Sequence, residues 1–457
     1  MERFKSINPS NYQTLEEVEV SSRRDIEKKV KLARKGQKEW ASLDLNNRVA
    51  ILSKTVEDFK RCKRSFAGLE SLEMGMPLYE ALADYDGTIA FAEWYLGNAE
   101  KYLGPETTFE NENEIHQVFR EPRGVAAVII PWNYPFLNFV WSSFQSLIAG
   151  NAVVLKHSEE CPLSGKVIEA ILRPNLPSGV FSEVYGGGQV GQCLVEQDVD
   201  MIGFVGSCKT GWSLYETAGR KKIKAVMELG GSAPGIVFDD ADIDAAVKSI
   251  CEYRLTNCGQ YCDGLKRLIV HEDVFSKVVQ KLADVFSSKK IGIAVNPMTE
   301  LGPLVASRQL ALLVQQIKDA KLKGARVITG GNSLESNMGG AFHQPTVLTN
   351  ISPDMRVWKE EVFGPVLPVA RFETEEQAIE LANQTAYGLG SYVYTADTKK
   401  AERVARAIKS GMVSINGVNY TTPWNPFGGY KNSGMGREHG KYGFDEVTQL
   451  KVVARNK

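Results

Sequence analysis

Residues 124–156, GVAAVIIPWNYPFLNFVWSSFQSLIAGNAVVLK, contain two short apolar runs that decide the fold class. Runs of this kind recur along the chain, at residues 125–130, 152–155, 201–205 and 223–227. A helix is predicted at residues 163–172, between the second run and the third, and it ends before Pro174. The alternation of short apolar runs with helical segments is typical of βαβ units around a mostly parallel sheet.

The same alternation continues through the C-terminal half of the chain. Strands are predicted at residues 235–238, 267–271 and 326–329, and helices at residues 275–286, 309–323 and 399–410. Two amphipathic helices, at residues 24–40 and 47–61, precede the first strand, because their apolar residues recur mostly at helical spacing. The Gly-rich residues 428–443 are predicted to form a loop region. These patterns predict an α/β protein with two consecutive α/β domains of comparable size.

The overall composition is that of a large globular protein. The chain has 457 residues, of which 43% are hydrophobic and 24% are charged, and its 54 Lys and Arg balance 55 Asp and Glu. A balanced charge gives no electrostatic footprint for nucleic acid or for an anionic membrane. No run approaches the roughly 18 consecutive apolar residues of a membrane span, and the N-terminus MERFKSINPSNYQ lacks an apolar signal core. We therefore expect a soluble, cytoplasmic protein without nucleic-acid or membrane partners.

The cysteines do not form the pattern of a disulfide framework. Their number, seven, is odd, and they are scattered along the chain, which favours a reducing compartment. No metal site is predicted, because the chain has no paired CxxC, no HExxH and only five dispersed histidines. Buried cysteines are mostly inert small hydrophobes, and we expect this of six of the seven. Cys262 differs, because it lies in NCGQYC, where Gly and Gln interrupt a segment between a helix and a strand.

Three short elements are candidates for binding a phosphate or a ribose. In FVGSCKTG, Gly206 and Ser207 follow a predicted strand and open a helix, whose N-terminus offers unpaired N–H groups. YGGGQVGQ, which begins at Tyr185, is a second Gly-rich element. Lys156 and Glu159 follow another strand, where they can bracket a ribose. Each element also has an ordinary explanation, because glycines are common at strand-to-helix turns for steric reasons and the two charged residues can belong to an exposed loop.

Three further residues supply the parts of covalent carbonyl chemistry. Glu228 lies in MELGGS, between a strand and two glycines, and Cys262 lies in NCGQYC. Asn133 lies in PWNYP, a turn that follows a strand. A thiolate nucleophile, a carboxylate that activates water and an amide N–H that holds an oxyanion are what this chemistry needs. The residues alone therefore predict a cysteine-dependent enzyme.

Seven strings carry a resemblance to a known family. They are PWNYPF, VVLKHSE, FVGSCKTG, MELGGSAPGIVFDDAD, NCGQYC, EEVFGPV and PFGGYKNSGMGRE. The order and spacing of these strings resemble those of the aldehyde dehydrogenase superfamily, and the resemblance extends from about residue 7 to about residue 453. The resemblance implies a Rossmann-like NAD-binding domain at residues 1–104 and 124–228, an α/β catalytic domain at residues 229–425 and a β-stranded oligomerisation element at residues 105–123 and 436–457.

The resemblance also implies a role for each catalytic residue. Cys262 matches the nucleophile that attacks the aldehyde and forms first a thiohemiacetal and then a thioester. Asn133, together with the backbone N–H of Cys262, matches the oxyanion hole, and Glu228 matches the base that activates water against the thioester. The product is the carboxylic acid. Relatives that transfer the acyl group to coenzyme A typically lack this glutamate, so Glu228 favours hydrolysis.

Ten residues match the family's cofactor contacts. They are Pro131, Trp132, Lys156, Glu159, Gly206, Ser207, Leu229, Gly230, Glu361 and Phe363. Lys156 and Glu159 are expected at the adenosine ribose, Ser207 at the pyrophosphate and Glu361 at the nicotinamide ribose. Gly230 is expected to let the Glu228 side chain swing. NAD is the expected cofactor, with NADP less favoured, because the Glu159 carboxylate repels a 2′-phosphate.

The match leaves the substrate open. Trp141 and Tyr420 are expected to line the aldehyde pocket. Succinate-semialdehyde members usually have arginines where this chain has Trp141 and Thr256, so no cationic clamp for a carboxylate is visible. Asp263 is uncommon directly after the nucleophile and is as consistent with an outward-pointing turn residue as with a functional one. The overall similarity nevertheless points to the branch that holds several bacterial semialdehyde dehydrogenases.

Two alternatives to this assignment stay open at the level of sequence. The first is a succinate-semialdehyde-type enzyme with a carboxylate site of another kind. The second is a catalytically silent structural or binding protein on the same fold, which would not need Cys262, Glu228 and Asn133 together. The expected partners are a small aldehyde and further copies of the chain in a homodimer or a homotetramer.

Overall fold

The computed structural model describes residues 2–457 and forms its first large sheet around Val125–Ile129, a strand in which every residue is buried. The six strands lie in the order Gly434–Met435, Lys224–Leu229, Met201–Gly206, Val125–Ile129, Ala152–Lys156 and Phe181–Glu183. All pairs are parallel except that of Gly434–Met435 with Lys224–Leu229. Ala126 and Val128 pack in one apolar core and Val125 and Ala127 in another, so both faces of this sheet are covered.

A seven-stranded sheet forms in the second half of the chain. Its strands lie in the order Arg326–Thr329, Thr346–Thr349, Val366–Phe372, Leu265–His271, Ala233–Val237, Tyr392–Tyr394 and Ser414–Ile415. All pairs are parallel except the first. Ile236 and Ile269 pack in one core, and Val237 and Leu268 pack in another. This sheet is therefore also buried on both faces.

Helices cover the two sheets, and the first of them shows why these segments are helical. Arg23–Ser42 begins with a capping box between Ser22 and Asp25 and buries one face that ends in Trp40. The remaining helices are Leu45–Arg61, Lys63–Met74, Leu78–Leu103, Pro135–Phe139, Gln145–Ala149, Pro162–Leu172, Gly188–Val195, Cys208–Lys221, Ile243–Leu255, Glu272–Ser288, Ser307–Leu322, Glu335–Met338, Arg356–Lys359, Glu375–Asn383, Thr398–Ala407 and Gly440–Glu446, with a π-helical turn at Val140–Phe144 and 3₁₀ turns at Thr256–Gly259 and Lys431–Ser433. The predicted mixed α/β architecture with mostly parallel sheets is confirmed.

One helical region was missing from the sequence-based expectation. Residues 135–149 are helical, with the π-helical turn in the middle, whereas the sequence analysis assigned only the preceding PWNYP turn and no helix here. The segment is buried on nearly all sides: Phe136, Phe139 and Phe144 are buried, and so are the polar side chains of Asn138 and Gln145. A helix that is buried all round has no polar face, so it shows no amphipathic period.

The C-terminal region corrects two expectations. Residues 436–457 were expected to be oligomerisation strands, but only Thr448–Asn456 is a strand, and Gly440–Glu446 is a helix. Phe444 explains the helix, because its ring packs against Tyr95 and Tyr102 in the core. The expected loop at residues 428–443 also contains the short strand Gly434–Met435, which joins the six-stranded sheet beside Glu228.

A separate three-stranded antiparallel sheet is formed by Glu106–Glu110, Glu114–Pro122 and Thr448–Asn456. Leu450 and Val452 are each 65% exposed on it. A two-stranded hairpin, Arg3–Ile7 with Thr14–Glu19, completes the sheets of the described chain. Self-association through the three-stranded sheet stays a prediction. No helix within residues 2–457 has the length and apolar character of a membrane span.

Candidate active site

The segment that carries Cys262 begins with an unusual turn. Directly after the helix Ile243–Leu255, Asn257 and Cys258 both have left-handed backbone conformations, with φ of 50° and 55°. The following Gly259 also has a positive φ, of 73°. Non-glycine residues adopt this conformation only where the surroundings hold them in it. Here the Asn257 backbone N–H donates to Glu80 at 2.7 Å, and the Gln260 N–H donates back to the Asn257 carbonyl at 3.0 Å.

Asn133 is fixed against this turn from the other sheet. It lies just beyond the strand Val125–Ile129, and its Nδ2 donates to the Gln260 carbonyl at 3.0 Å. The Asn138 amide donates to Asn133 Oδ1 at 3.3 Å, and Asn257 Nδ2 donates to the Asn133 carbonyl at 2.7 Å. An amide has two N–H donors, so the second Nδ2 hydrogen of Asn133 is available to an oxyanion.

Cys262 follows the turn and is partly buried. Its Sγ donates to Asp263 Oδ1 at 3.8 Å. Burial and the Asp263 carboxylate raise the pKa of the Cys262 thiol well above its usual value, while Lys266 acts in the opposite direction. The thiol is therefore protonated at neutral pH, and a reaction at sulfur requires an acceptor for its proton.

Glu228 lies in the strand Lys224–Leu229 and is almost fully buried. Neither of its carboxylate oxygens has a hydrogen-bond partner among the described residues. A side chain at Gly428 would approach Glu228 Oε1 to 2.8 Å, so glycine there leaves space for the carboxylate. Burial, followed by the neighbouring Glu438, raises the pKa of Glu228 well above its usual value. A buried carboxyl group with a raised pKa and no partner is suited to accept a proton from water.

Glu361 is held at the same cleft by a buried ion pair. Its Oε1 is 3.0 Å from the Lys266 Nζ, whose side chain is fully buried, and it also accepts from the Gly231 N–H at 2.9 Å. A Cβ on Gly230 would lie 2.3 Å from Glu361 Oε2. A side chain at Gly230 would therefore displace the Glu361 carboxylate from its present position, and the expectation that Gly230 lets Glu228 swing stays a prediction.

One cleft of about 360 Å³ collects most of the predicted residues. It is lined by Asn133, Glu228 and Cys262 together with Pro131, Trp132, Gly206, Ser207, Leu229, Gly230, Glu361 and Phe363. Trp132 and Phe363 meet edge to face, with ring centroids 5.5 Å apart. Ser207 caps the helix Cys208–Lys221, accepting from the Thr210 N–H, so the positive end of that helix faces the cleft, as a pyrophosphate requires.

Lys156 and Glu159 lie outside the lining of this cleft, beyond the end of the strand Ala152–Lys156. Lys156 Nζ is 3.7 Å from Glu159 Oε2, and the Glu159 side chain is 44% exposed. Burial lowers the pKa of Lys156, and Glu159 opposes that shift. A half-exposed carboxylate beside a buried ammonium suits the hydroxyls of a ribose. Together with Ser207 and the glycine-lined cleft, these residues fit a dinucleotide.

Trp141 and Tyr420 also lie outside that cleft, in a small apolar cluster that includes Cys262. The core of this cluster is Leu389, Met412 and Phe427. The rings of Trp141 and Phe427 are 5.1 Å apart, and the Tyr420 hydroxyl donates to that of Tyr392 at 3.2 Å. Cys262 therefore lies between the cleft that fits the cofactor and this cluster, which is called the aromatic cluster below.

The two arginines closest in sequence to Cys262 are occupied by backbone carbonyls. Arg254 donates to the carbonyls of Leu265, Gly259 and Val362. Arg267 donates to those of Ser232, Leu381 and Ala382. Both guanidinium groups are buried in these interactions, so neither extends toward the aromatic cluster. Within residues 2–457, no three His, Cys, Asp or Glu side chains are grouped as metal ligands.

Sequence reasoning missed the supports of the site. It did not predict that Gln260 and Asn257 form hydrogen bonds that link the two sheets. It also did not predict the ion pair of Lys266 with Glu361. NCGQYC contained the first two residues, so the motif itself was the available signal. Cys258, whose role the sequence left open, is buried in the core of the seven-stranded sheet, away from the cluster that includes Cys262.

Comparisons with known proteins agree with this geometry. The model of the aldehyde dehydrogenase family matches residues 1–453. A peroxisomal aminoaldehyde dehydrogenase of Pisum sativum is 37% identical over 476 residues, covering 99% of this chain and 92% of that protein. A succinate-semialdehyde dehydrogenase [NADP(+)] of Deinococcus radiodurans is 37% identical over 452 residues, covering 98% of this chain and 94% of that protein.

A solved structure extends the likeness to three dimensions. The NAD+ complex of an aldehyde dehydrogenase from Bacillus cereus superposes with a TM-score of 0.96 at 33% identity, covering 100% of this chain and 93% of that chain. Both the sequence and the fold are matched over the whole length. The chain therefore belongs to the aldehyde dehydrogenase family.

Proposed function

We propose that this protein oxidises an aldehyde to the carboxylic acid with NAD, using Cys262 as the nucleophile. The observation that carries the proposal is that Cys262, Asn133 and Glu228 line one cleft together with the residues that fit a dinucleotide. A catalytically silent protein on this fold would have no use for a buried, unpartnered carboxylate beside a thiol and an oriented amide.

Each residue of the site has a defined part in the reaction. Cys262 Sγ attacks the aldehyde carbon, and the free Nδ2 hydrogen of Asn133, together with the Cys262 N–H, holds the oxygen as it becomes negative. NAD, when bound, supplies the acceptor for the hydride. Glu228 then accepts a proton from the water that attacks the thioester at Cys262. Because Glu228 must be deprotonated to do this, and its pKa is raised, hydrolysis slows as pH falls through that raised pKa.

The charge around Cys262 supports neutral or cationic aldehydes as substrates. The Asp263 carboxylate lies 3.8 Å from Cys262 Sγ, and the nearby Arg254 and Arg267 are bound to carbonyls. A substrate carboxylate in this pocket would lack a guanidinium partner, and an unpaired buried charge is costly. Trp141 and Tyr420 instead offer apolar contact or a cation–π interaction, worth about 0.5–2 kcal/mol.

Two relatives favour different substrate classes. The name of the Pisum sativum protein specifies an aminoaldehyde, whereas that of the Deinococcus radiodurans protein specifies succinate semialdehyde and NADP. Their identities to this chain are equal, so similarity does not choose between them. The charges around Cys262 favour the first class, and a succinate-semialdehyde-type activity is the second candidate.

Replacing the nucleophile tests the reaction directly. We expect Cys262→Ser to lose aldehyde-dependent NADH formation while still binding NAD, because a hydroxyl is a far poorer nucleophile than a thiol near neutral pH. Cys258→Ala is the matched control, since that thiol lies in a separate core, and it should keep turnover. NADH absorbance and NAD titration measure the two properties, and an active Cys262→Ser variant would contradict the assignment.

Replacing the base should separate the two halves of the reaction. Glu228→Gln is expected to release a stoichiometric burst of NADH and then stall, because the amide cannot accept a proton from water. The steady-state rate should fall by roughly 10²–10⁴-fold, the usual contribution of a general base. Rapid-mixing kinetics measure both phases. A variant that folds normally but shows no burst would place Glu228 in the earlier half of the reaction.

The cofactor preference follows from Glu159. We expect NAD to give a higher kcat/KM than NADP, because a 2′-phosphate adds roughly −1.5 to −2 charges near this carboxylate. Like charges about 4 Å apart repel by about 1 kcal/mol even in water, so several-fold discrimination is the minimum. Lys156 tempers the effect by partly neutralising a phosphate. Glu159→Ser should shift the ratio toward NADP, and equal wild-type efficiencies with the two cofactors would contradict this role.

The substrate preference is tested with three aldehydes of similar length. We expect a neutral aldehyde and an ω-aminoaldehyde each to exceed succinate semialdehyde in kcat/KM by roughly five-fold or more, which corresponds to about 1 kcal/mol of repulsion from Asp263. Steady-state kinetics with saturating NAD measure the ratio. A clear advantage for succinate semialdehyde would instead support the second candidate function.

A further inference from the structure

Asp263 is the residue of the site that the family match does not explain. It directly follows the nucleophile, and its Oδ1 accepts the hydrogen of Cys262 Sγ at 3.8 Å. The Glu228 carboxylate, by contrast, has no hydrogen-bond partner among the described residues, the thiol included. Asp263 is therefore the carboxylate that contacts the reactive thiol.

The surrounding chain holds Asp263 in this orientation. The Thr421 hydroxyl donates to Oδ2 at 3.4 Å, and the Tyr392 hydroxyl donates to the Asp263 carbonyl at 2.8 Å. A Cβ on Gly390 would lie 3.3 Å from both the carbonyl oxygen and the Cβ of Asp263, so the backbone is closely packed there. With Oδ2 and the backbone engaged, Oδ1 is the oxygen left to the thiol.

The charged neighbours of Asp263 set its proton affinity. Burial raises its pKa above the usual value, and the Lys266 ammonium opposes this shift. The phenol of Tyr420 hydrogen-bonds the Asp263 side chain and lowers its pKa, and Asp263 in turn acts on Glu228 as a like-charged neighbour.

Four other phenols complete this environment: those of Tyr134, Tyr253, Tyr261 and Tyr392. The pKa of each is raised, mainly by burial, so these phenols stay neutral near pH 7. A carboxyl group whose pKa is raised is a stronger proton acceptor than an ordinary aspartate.

We propose that Asp263 accepts the proton of Cys262 as sulfur bonds to the aldehyde carbon, and returns it when the thioester is hydrolysed. In the first step the S–H bond breaks and the C–S bond forms, the proton moves to Asp263 Oδ1, and the carbonyl electron pair moves to the oxygen held by Asn133. In the last step the C–S bond breaks, and the departing sulfur takes the proton back. This inference rests on the proposed function and assigns separate proton acceptors to its two halves, Asp263 for the thiol and Glu228 for water.

Asp263→Asn tests the proposal, because an amide keeps the shape but does not accept the proton. The burst of NADH formed from a neutral aldehyde is measured by rapid mixing between about pH 6 and pH 10. In the wild type, the carboxylate route keeps the burst rate nearly constant below the pKa of the thiol, down to the pKa of Asp263. In the variant, the rate should follow ionisation of the thiol alone. We expect it to be about ten-fold or more below wild type near pH 7 and to meet or exceed wild type at high pH, where the charge opposing the thiolate is missing.

A second readout requires neither cofactor nor turnover. The rate of alkylation of Cys262 by iodoacetamide can be followed by intact mass in the cofactor-free protein. It should show the same pattern, with Asp263→Asn slower than wild type near pH 7 and as fast or faster at high pH. Thr421→Val is the matched control, since it removes one hydrogen bond to Oδ2 but leaves Oδ1 in place. Because the Thr421 hydrogen bond lowers the pKa of Asp263, the variant should keep the shape of the wild-type profile, with its acid limb moved to higher pH, and should not show the loss of the carboxylate route expected of Asp263→Asn.

The outcomes separate this inference from the proposed function. An Asp263→Asn variant that equals wild type at neutral pH, or that is slower by one constant factor at every pH, overturns the role of Asp263. Loss of the burst in Glu228→Gln with a normal burst in Asp263→Asn would assign the thiol proton to Glu228 instead. A wild-type protein that forms no NADH with any aldehyde would contradict the proposed function itself, while the alkylation profiles would still decide the proton acceptor.

Discussion

The position of the reactive thiol depends on hydrogen bonds that join the two large sheets. Asn133 comes from the end of a strand in the six-stranded sheet, and Asn257 and Gln260 come from the turn that leads into the seven-stranded sheet. The side chain of each asparagine donates to a backbone carbonyl on the other side. These groups are buried, and a buried polar group that loses its partner costs about 1–3 kcal/mol. These bonds therefore help to hold the amide of Asn133 against the turn that carries the thiol.

The electrostatics of the site follow from that arrangement. Three carboxylates, those of Asp263, Glu228 and Glu361, act on one thiol, and Lys266 is the single cation that opposes them. Burial, followed by this excess of negative charge, keeps the sulfur protonated until a substrate arrives. Since the thiolate is also the form that oxidants attack, the same charges that slow ionisation protect the free enzyme from oxidation.

The sequence allowed the architecture and the reacting groups to be predicted, but not the hydrogen bonds and the ion pair that hold those groups in place. The strand Val125–Ile129 was visible because a β-branched run in an α/β context has few alternatives. The helix Gly440–Glu446 was not visible, because only the tertiary contacts of Phe444 favour it. Cys262 and Glu228 were found through short motifs. The contact of Gly230 with Glu361 was not foreseen, because Glu361 comes from a distant part of the chain.

The left-handed turn at Asn257 and Cys258 has a consequence for the order of folding. Consecutive non-glycine residues in this conformation are unfavourable in an isolated chain, at roughly 1–2 kcal/mol each. The contacts that hold the turn come from Glu80 and Asn133, which are more than 100 residues away in sequence. Apart from the local bond from the Gln260 N–H to the Asn257 carbonyl, the turn gains its stabilising contacts only after both sheets have docked. In refolding, the return of a correctly placed nucleophile is a late event, and it reports that the two halves of the molecule have assembled.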